Sequence, residues 1–207
     1  IKGFFDNIPH NLLMKAVGKH CNEKWVLLYI GRWLVAPLEK ENGETVARTK
    51  GVPQGSVIGP LLANLYLHYC MDVWLERNYP ECKFERYADD AIIHCSSEQK
   101  VMEVKQRLEA RMQECGLELH PEKTKIVYCK DSNRKRTATE HVQFDFLGYT
   151  FMPRSAQHSV RKEWFTSWLP AVSKKAMKSM NGKMRSWSIL RVSSCTLTDI
   201  AKAINPI

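Results

Sequence analysis

Two adjacent carboxylates, Asp89 and Asp90, have the clearest capacity for chemistry in this sequence. They lie between the apolar segments Phe84–Tyr87 and Ala91–Cys95, with Ala88 before them. Adjacent carboxylates are costly to remove from water unless a cation or a donor pairs with them. At a hairpin tip they can offer oxygen ligands to Mg²⁺, and two such ions about 4 Å apart can hold the attacking and leaving oxygens of a phosphoryl transfer. The alternative interpretation is a solvated Asp-Asp turn.

The surrounding patterns predict the elements that position this pair. The two apolar segments predict a β-hairpin with the acids at its tip. A segment from Ile58 to Arg77 is apolar almost all round, which is typical of a buried helix. Ser96 and Gln99 form a capping-box pattern, and an amphipathic helix is predicted to run from there to Gly116. Further patterns predict helices over 9–20 and 23–34, a hairpin over 36–49, strands over 124–129 and 144–151, a helix beginning at Trp168 and a last helix over 197–204.

The composition is that of a folded protein. The 207 residues are 44% hydrophobic and 26% charged, which excludes a disordered tail, a collagen-like chain and a disulfide miniprotein. No apolar run approaches the ~18 residues of a membrane span, so no membrane partner is predicted. The seven cysteines lack zinc-site spacing and indicate free thiols in a reducing cytoplasm. Because the sequence begins at Ile1 and without a signal peptide, we expect it to be part of a longer polypeptide.

The positive charge is concentrated toward the C-terminus. The net charge is +9, and residues 131–207 carry 13 Lys and Arg against 5 Asp and Glu, whereas residues 1–130 carry 18 against 17. Such asymmetry indicates a polyanionic partner, most commonly nucleic acid. A solubilising surface is the alternative.

The sequence resembles reverse transcriptases, and its motifs are similar to those of bacterial group II intron-encoded reverse transcriptases, the maturases. Tyr87-Ala88-Asp89-Asp90 resembles their catalytic box, and four other boxes occur in the expected order. These are Ile1-Lys2-Gly3-Phe4-Phe5-Asp6-Asn7-Ile8, Gly51-Val52-Pro53-Gln54-Gly55-Ser56 with its continuation to Asn64, Gly116 to Lys125, and Phe144-Asp145-Phe146-Leu147-Gly148-Tyr149. Residues 170–176 and 204–206 resemble the maturase-associated thumb.

This resemblance implies an α+β fold. A reverse-transcriptase palm, an antiparallel sheet backed by helices, would occupy residues 1–152, and part of an α-helical thumb would occupy 153–207. In the family a catalytic Asp stands directly before the run that begins at Ile1, so that Asp and the fingers lie outside this sequence. We therefore expect the parent protein to be an RNA-directed DNA polymerase and this fragment to be inactive or nearly so.

The resemblance also implies roles for individual residues. Asp89 and Asp90 would hold two Mg²⁺ ions, with Mn²⁺ as the alternative ion. Phe5 would exclude a 2′-hydroxyl beneath the incoming sugar, and Gln54, Gly55 and Tyr87 would bind the deoxynucleoside triphosphate or the template. Lys123 would act as general acid at the leaving pyrophosphate. Lys125 is its rival, and both lysines could instead be solvated.

The remaining candidates are nucleic-acid-binding residues. Phe146, Leu147 and Gly148 resemble the turn that packs against the primer end, and a basic helix face would contact phosphates of the intron RNA or of the RNA template and DNA primer through Lys174, Lys175, Lys178 and Arg185. Two alternatives stay open: an RNA-binding splicing maturase without polymerase activity, and a reverse transcriptase of a retron or CRISPR-associated lineage. The sequence leaves the oligomeric state open.

Overall fold

The computed structural model describes residues 1–39, 42–53, 55–130, 141–187 and 196–204. The chain forms two compact units, Ile1–Thr124 and Lys125–Ile207. This division lies upstream of the predicted palm–thumb boundary at 152/153, which falls inside a strand, Tyr149–Gln157. Helices occur together with strands that pair only antiparallel among the described residues, so the predicted α+β class is confirmed.

The first unit is mainly helical and carries two short hairpins. Two of its helices, its first hairpin and its last helix lie close to the predicted positions, whereas the short helix Phe4–Asn7 was not predicted. The elements are α1 (Phe4–Asn7), α2 (His10–Val17), α3 (Lys24–Val35), β1 (Leu38–Glu39), β2 (Thr45–Val46), α4 (Gly59–Leu67), a π-helical segment (His68–Asp72), α5 (Val73–Asn78), β3 (Phe84–Tyr87), β4 (Asp90–Ile93) and α6 (Glu98–Glu114).

The helix predicted over residues 58–77 is the centre of this unit, and its middle widens into the π-helical segment. Tyr66, Leu67, Met71 and Leu75 are buried there. Helix α6 packs against the π-helical segment, where the Arg111 side chain donates to the Cys70 carbonyl oxygen at 3.2 Å. As predicted, α6 turns Val104, Leu108 and Met112 into the core.

Two local predictions in this unit and the segment after it were wrong. The cap of α6 is Ser97, whose hydroxyl accepts the Lys100 backbone N–H at 3.2 Å, because the helix begins one residue later than the Ser96–Gln99 pattern indicates. Residues 124–129 form no strand, although the Tyr128 N–H donates to the His141 carbonyl oxygen at 3.0 Å.

The second unit contains a three-stranded antiparallel sheet followed by helices. The sheet order is β5 (Phe144–Phe146), β6 (Tyr149–Gln157) and β7 (Trp164–Val172), and the helices are α7 (Lys174–Ser186) and α8 (Leu197–Ile204). The Phe144 and Phe151 rings stack with centroids 5.0 Å apart. The segment predicted as one strand over 144–151 is therefore a hairpin, and helix 197–204 is confirmed.

The helix predicted to begin at Trp168 begins six residues later. Residues 164–172 instead pair along their whole length with β6, and Pro170 lies opposite Phe151 on an edge strand, where a missing N–H is tolerated. The Ser173 hydroxyl caps α7 by accepting the Ala176 N–H at 3.1 Å. Leu169 and Val172 consequently belong to the sheet and not to the apolar face of that helix. Among the described helices, none has the length and apolar character needed to cross a membrane.

Candidate active site

The acidic pair lies at a two-residue hairpin turn. Tyr87 and Asp90 are the last paired residues of β3 and β4, and Ala88 and Asp89 connect them. The hairpin is confirmed, although Asp90 belongs to the first position of β4 and not to the turn. Ala88 has a φ of 52°, a left-handed value that is unfavourable for any residue with a Cβ. The turn that carries Asp89 is therefore held in its shape by contacts from outside it.

Both carboxylates are open to solvent on one side. The side chain of Asp89 is 38% exposed, and Asp90 and Tyr87 are exposed as well. Asp89 Oδ2 lies 4.0 Å from the backbone nitrogen of Ile1, whose side chain is buried. A residue joined to Ile1 in a longer polypeptide would thus be attached beside Asp89.

The donor set of this pair fits a hard divalent cation. Carboxylate oxygens on an exposed, externally fixed turn match the ligands that Mg²⁺ takes together with substrate phosphates. Within the described ranges, no group of three His, Cys, Asp or Glu side chains could hold an ion by itself. Asp89 and Asp90 would therefore share a cation with ligands from outside the chain, or with a further carboxylate.

The two boxes at residues 1–8 and 51–56 are packed together. The Val52 N–H donates to the Phe5 carbonyl oxygen at 2.6 Å, and the Gly51 N–H donates to the Ile8 carbonyl oxygen at 2.8 Å. Gly51 has a φ of 84°, and a Cβ at this position would lie 2.8 Å from the Phe5 carbonyl oxygen. Only glycine allows this approach.

Within these boxes the structure separates the two phenylalanines. Phe4 is buried in the core, whereas Phe5 is half-buried and its ring lies 5.3 Å from that of Phe4. Gly55 is exposed and has a φ of 82°. Gln54 lies outside the described residues. The structure thus leaves Phe5 accessible beside the glycine-rich segment, and the predicted gate role stays a prediction.

The fourth box also reaches the start of the chain. The Lys2 N–H donates to the Glu118 carbonyl oxygen at 2.9 Å, and Gly116 closely approaches the ring of Pro9. Lys123 is exposed in a turn at residues 121–123, and Lys125 begins the second unit. Both lysines are exposed, and the general-acid role stays a prediction.

In the second unit, the predicted primer-contacting turn lies against the start of α7. Leu147 and Gly148 form the β5–β6 turn, with φ values of 49° and 82°. The Ser173 N–H donates to the Gly148 carbonyl oxygen at 2.9 Å, and Leu147 is half exposed. The structure therefore brings this turn, which Phe146 precedes, next to Lys174 and Lys175.

Helix α7 has a basic face and a methionine face. Lys174, Lys178 and Arg185 recur at spacings that place them on one side, and Lys175 lies at its margin; all four are exposed. Met177, Met180 and Met184 occupy a different side. The predicted basic face is thus present on α7, and methionines form its apolar side.

Sequence reasoning missed Arg86 and Asp72, which lie directly behind the acidic turn. Arg86 Nε and Nη2 donate to the two carboxylate oxygens of Asp72 at 2.7 and 2.6 Å. Both side chains are nearly buried, at 12% and 13% exposure. Arg86 lies on the same half-buried side of β3 as Phe84. A charged residue at such a position is unusual and could have indicated a buried partner.

Comparison with known proteins identifies the class of molecule. Residues 1–151 match the family model for reverse transcriptase (RNA-dependent DNA polymerase). The chain belongs to this family, as the resemblance predicted.

Its relatives include intron-encoded proteins. The chain is 33% identical over 75 residues to the putative COX1/OXI3 intron 2 protein of Saccharomyces cerevisiae, covering 36% of this chain and 9% of that protein. It is 38% identical over 68 residues to the group II intron-encoded protein LtrA of Lactococcus lactis subsp. cremoris, covering 33% and 11%. Protein YkfC of Escherichia coli is 25% identical over 197 residues, covering 76% and 47%. The chain thus spans between a tenth and a half of these relatives.

Proposed function

We propose that this chain is the palm and part of the thumb of a group II intron-type RNA-directed DNA polymerase, which acts in the cytoplasm and also binds its intron RNA. The observation that carries the proposal is the strained Ala88–Asp89 turn in a chain of the reverse transcriptase family, with two adjacent carboxylates presented to solvent. The palm is assigned to residues 1–152 and the thumb to 153–207.

In the proposed reaction, the primer 3′-hydroxyl gives up its proton to solvent and its oxygen bonds to the α-phosphorus of a deoxynucleoside triphosphate. The bond between that phosphorus and the oxygen bridging to the β-phosphate breaks, and pyrophosphate leaves. Asp89 and Asp90 would hold two Mg²⁺ or Mn²⁺ ions, which when bound supply charge stabilisation of the transferred phosphoryl group. The proposal expects a third carboxylate from a residue directly before Ile1, because that position adjoins Asp89. Without it, the fragment is expected to be inactive.

Other residues have proposed roles in this step. Phe5 lies under the sugar and excludes a 2′-hydroxyl by bulk. Gln54, Gly55 and Tyr87 contact the nucleotide or the template. Lys123 donates a proton to the leaving pyrophosphate, with Lys125 as the competing candidate.

The second unit would bind the nucleic-acid backbone. The exposed Lys174, Lys178 and Arg185 on one side of α7, with Lys175 at its start, can contact phosphates without reading sequence. The half-exposed Leu147 turn beside these lysines would pack against the primer end.

The test is primer extension by a polypeptide that carries this sequence together with its upstream segment. Asp89→Asn and Asp90→Asn are expected to abolish Mg²⁺-dependent extension and leave RNA affinity within about twofold, because each removes one charge from an exposed pair without disturbing the core. Glu85→Gln, an exposed residue of β3, is the control and should extend normally. Wild-type extension rates in both Asp variants would contradict the metal-ligand assignment.

A splicing maturase that binds RNA without polymerising is the second candidate, favoured by the basic face of α7. It predicts that the same Asp89→Asn and Asp90→Asn variants support intron splicing as well as the wild type does, and that the wild type itself extends no primer. Primer extension by the wild type would favour the polymerase.

A further inference from the structure

The Arg86 guanidinium contacts three separate parts of the first unit. Its Nε and Nη2 donate to Asp72, and its Nη1 donates to Asn64 Oδ1 and to the Ala88 carbonyl oxygen, each at 2.9 Å. Four of the five guanidinium hydrogens can thus be engaged. We propose that Arg86 is a positioning residue that locks the Ala88–Asp89 turn, and with it the metal-binding carboxylates, onto the helix behind them. This inference rests on the proposed polymerase function.

The Arg86–Asp72 fork gives the lock its rigidity. Two parallel, charge-assisted hydrogen bonds fix the plane of the guanidinium as well as its distance. Both side chains are close to 90% buried, so solvent screens the pair weakly. A lysine ammonium has three donors, but they sit on a single nitrogen, so it could not make the planar fork with Asp72 and also reach Asn64 and the Ala88 carbonyl.

The Ala88–Asp89 turn needs support from hydrogen bonds outside it because its own residues do not favour its backbone conformation. A non-glycine residue at a φ of 52° stays there only when surrounding structure over-determines the conformation. The Nη1 bond to the Ala88 carbonyl oxygen acts on the peptide unit that joins Ala88 to Asp89. Release of this bond would let the turn relax and move the Asp89 carboxylate.

The π-helical segment places the two side-chain acceptors on one side of the helix. Asn64 and Asp72 are eight residues apart, which on a regular α-helix would separate them by about 80° around the axis. A π-helical turn takes up about one extra residue, so the pair becomes equivalent to residues seven apart, which share a face. The Arg86 contacts to both side chains show that they do face the same way.

The experiment compares Arg86→Lys with Arg77→Lys, a matched change at an exposed position of α5, in the same primer-extending polypeptide. For Arg86→Lys we expect kcat to fall and the half-saturating Mg²⁺ concentration to rise, each by about 10–100-fold, the range seen when supports of metal ligands are removed. The KM for template–primer should stay within about twofold, because the phosphate-binding residues are unchanged. Arg77→Lys should match the wild type in all three quantities.

A second variant covers the case in which Arg86→Lys does not fold, as judged by circular dichroism. Asp72→Asn keeps the size and one acceptor of the carboxylate but removes the charge of the fork, and it should raise the Mg²⁺ requirement about tenfold. If the variant that folds has the same half-saturating Mg²⁺ concentration as Arg77→Lys, the positioning role of Arg86 is refuted, while the proposed function is left standing. Absence of primer extension in the wild type would instead contradict the proposed function on which it rests.

Discussion

The close approach of Gly51 to the first box can be tested by adding a single methyl group. In Gly51→Ala the new Cβ would lie 2.8 Å from the Phe5 and Asp6 carbonyl oxygens, at a φ of 84°. Both contacts are with backbone atoms, so no side-chain rotation can relieve them. The left-handed conformation alone costs an alanine about 1–2 kcal/mol.

The overlap adds to that strain because one of the two segments has to move. Movement weakens the bonds that Gly51 and Val52 donate to the Ile8 and Phe5 carbonyl oxygens, at 2.8 and 2.6 Å, each worth about 1 kcal/mol. We therefore expect Gly51→Ala to lower the free energy of unfolding by about 3 kcal/mol.

Two other glycines of the first unit separate the cost of the backbone conformation from the cost of the steric overlap. Gly43 has a φ of 79° but open space around its Cβ position, so Gly43→Ala should show the conformational cost alone, about 1–2 kcal/mol. Gly31 lies in α3 with open space and no positive φ, and Gly31→Ala should stabilise by about 1 kcal/mol through helix propensity. Urea unfolding of the three variants measures all of these differences. If Gly51→Ala is no less stable than Gly43→Ala, the two boxes do not touch as described.

Two further predictions concern the proposed site. Replacement of Phe5 by Val should raise incorporation of ribonucleotides relative to deoxynucleotides at least tenfold, because the pocket gains volume where the 2′-hydroxyl would lie; Phe4→Val should lower stability without changing this ratio, and equal ratios in the two variants would assign Phe5 to the core. The triple variant Lys174→Ala, Lys175→Ala, Lys178→Ala should flatten the slope of log affinity against log salt for RNA by roughly 0.7–0.9 for each phosphate that is no longer neutralised, about equally for different RNA sequences. An unchanged slope would mean that α7 only solubilises the protein.

The β3–β4 hairpin was predictable because its two sides and its tip carry different signals. Apolar residues on both sides predicted the strands, and Asp89 and Asp90 predicted the tip. The exact turn was not predictable, since Ala88 is not among the residues that favour a positive φ. Its conformation depends on Arg86, whose partners are distant in sequence.

The error at Trp168 has a different physical cause. Spacings of three and four residues among Leu169, Val172 and Ala176 match a helix, but a short window of apolar residues also fits a strand that is covered on one side. Residues 164–172 form a strand because they pair with β6. Pro170 did not argue against a helix, since it would have lain in the first turn, where proline is tolerated. The cap at Ser173 is the local signal that marks the true start.

The Arg86–Asp72 pair could have been inferred from two anomalies considered together. Arg86 occupies a β3 position where alternation favours an apolar side chain, and Asp72 lies in a helical segment that is apolar almost all round. Buried charges of opposite sign are stable chiefly as partners, so each predicts the other. The sequence could not show which helix residues face β3. The π-helical segment shifts that set of residues by about one position, and its presence was not predicted.

The strained turns show where tertiary structure takes over from local preference. Ala88, Leu147 and Lys162 are the non-glycine residues with positive φ among the described residues. In all three turns a carbonyl oxygen accepts a bond from outside the turn: that of Ala88 from the Arg86 side chain, that of Gly148 from the Ser173 N–H and that of Lys162 from the Gln157 side chain. A positive φ with such a bond therefore does not mark a site by itself. What distinguishes the Ala88–Asp89 turn is that the side chain bonded to it, Arg86, is in turn held by Asp72 and Asn64 of the preceding helix, as a rigid ligand-presenting turn requires.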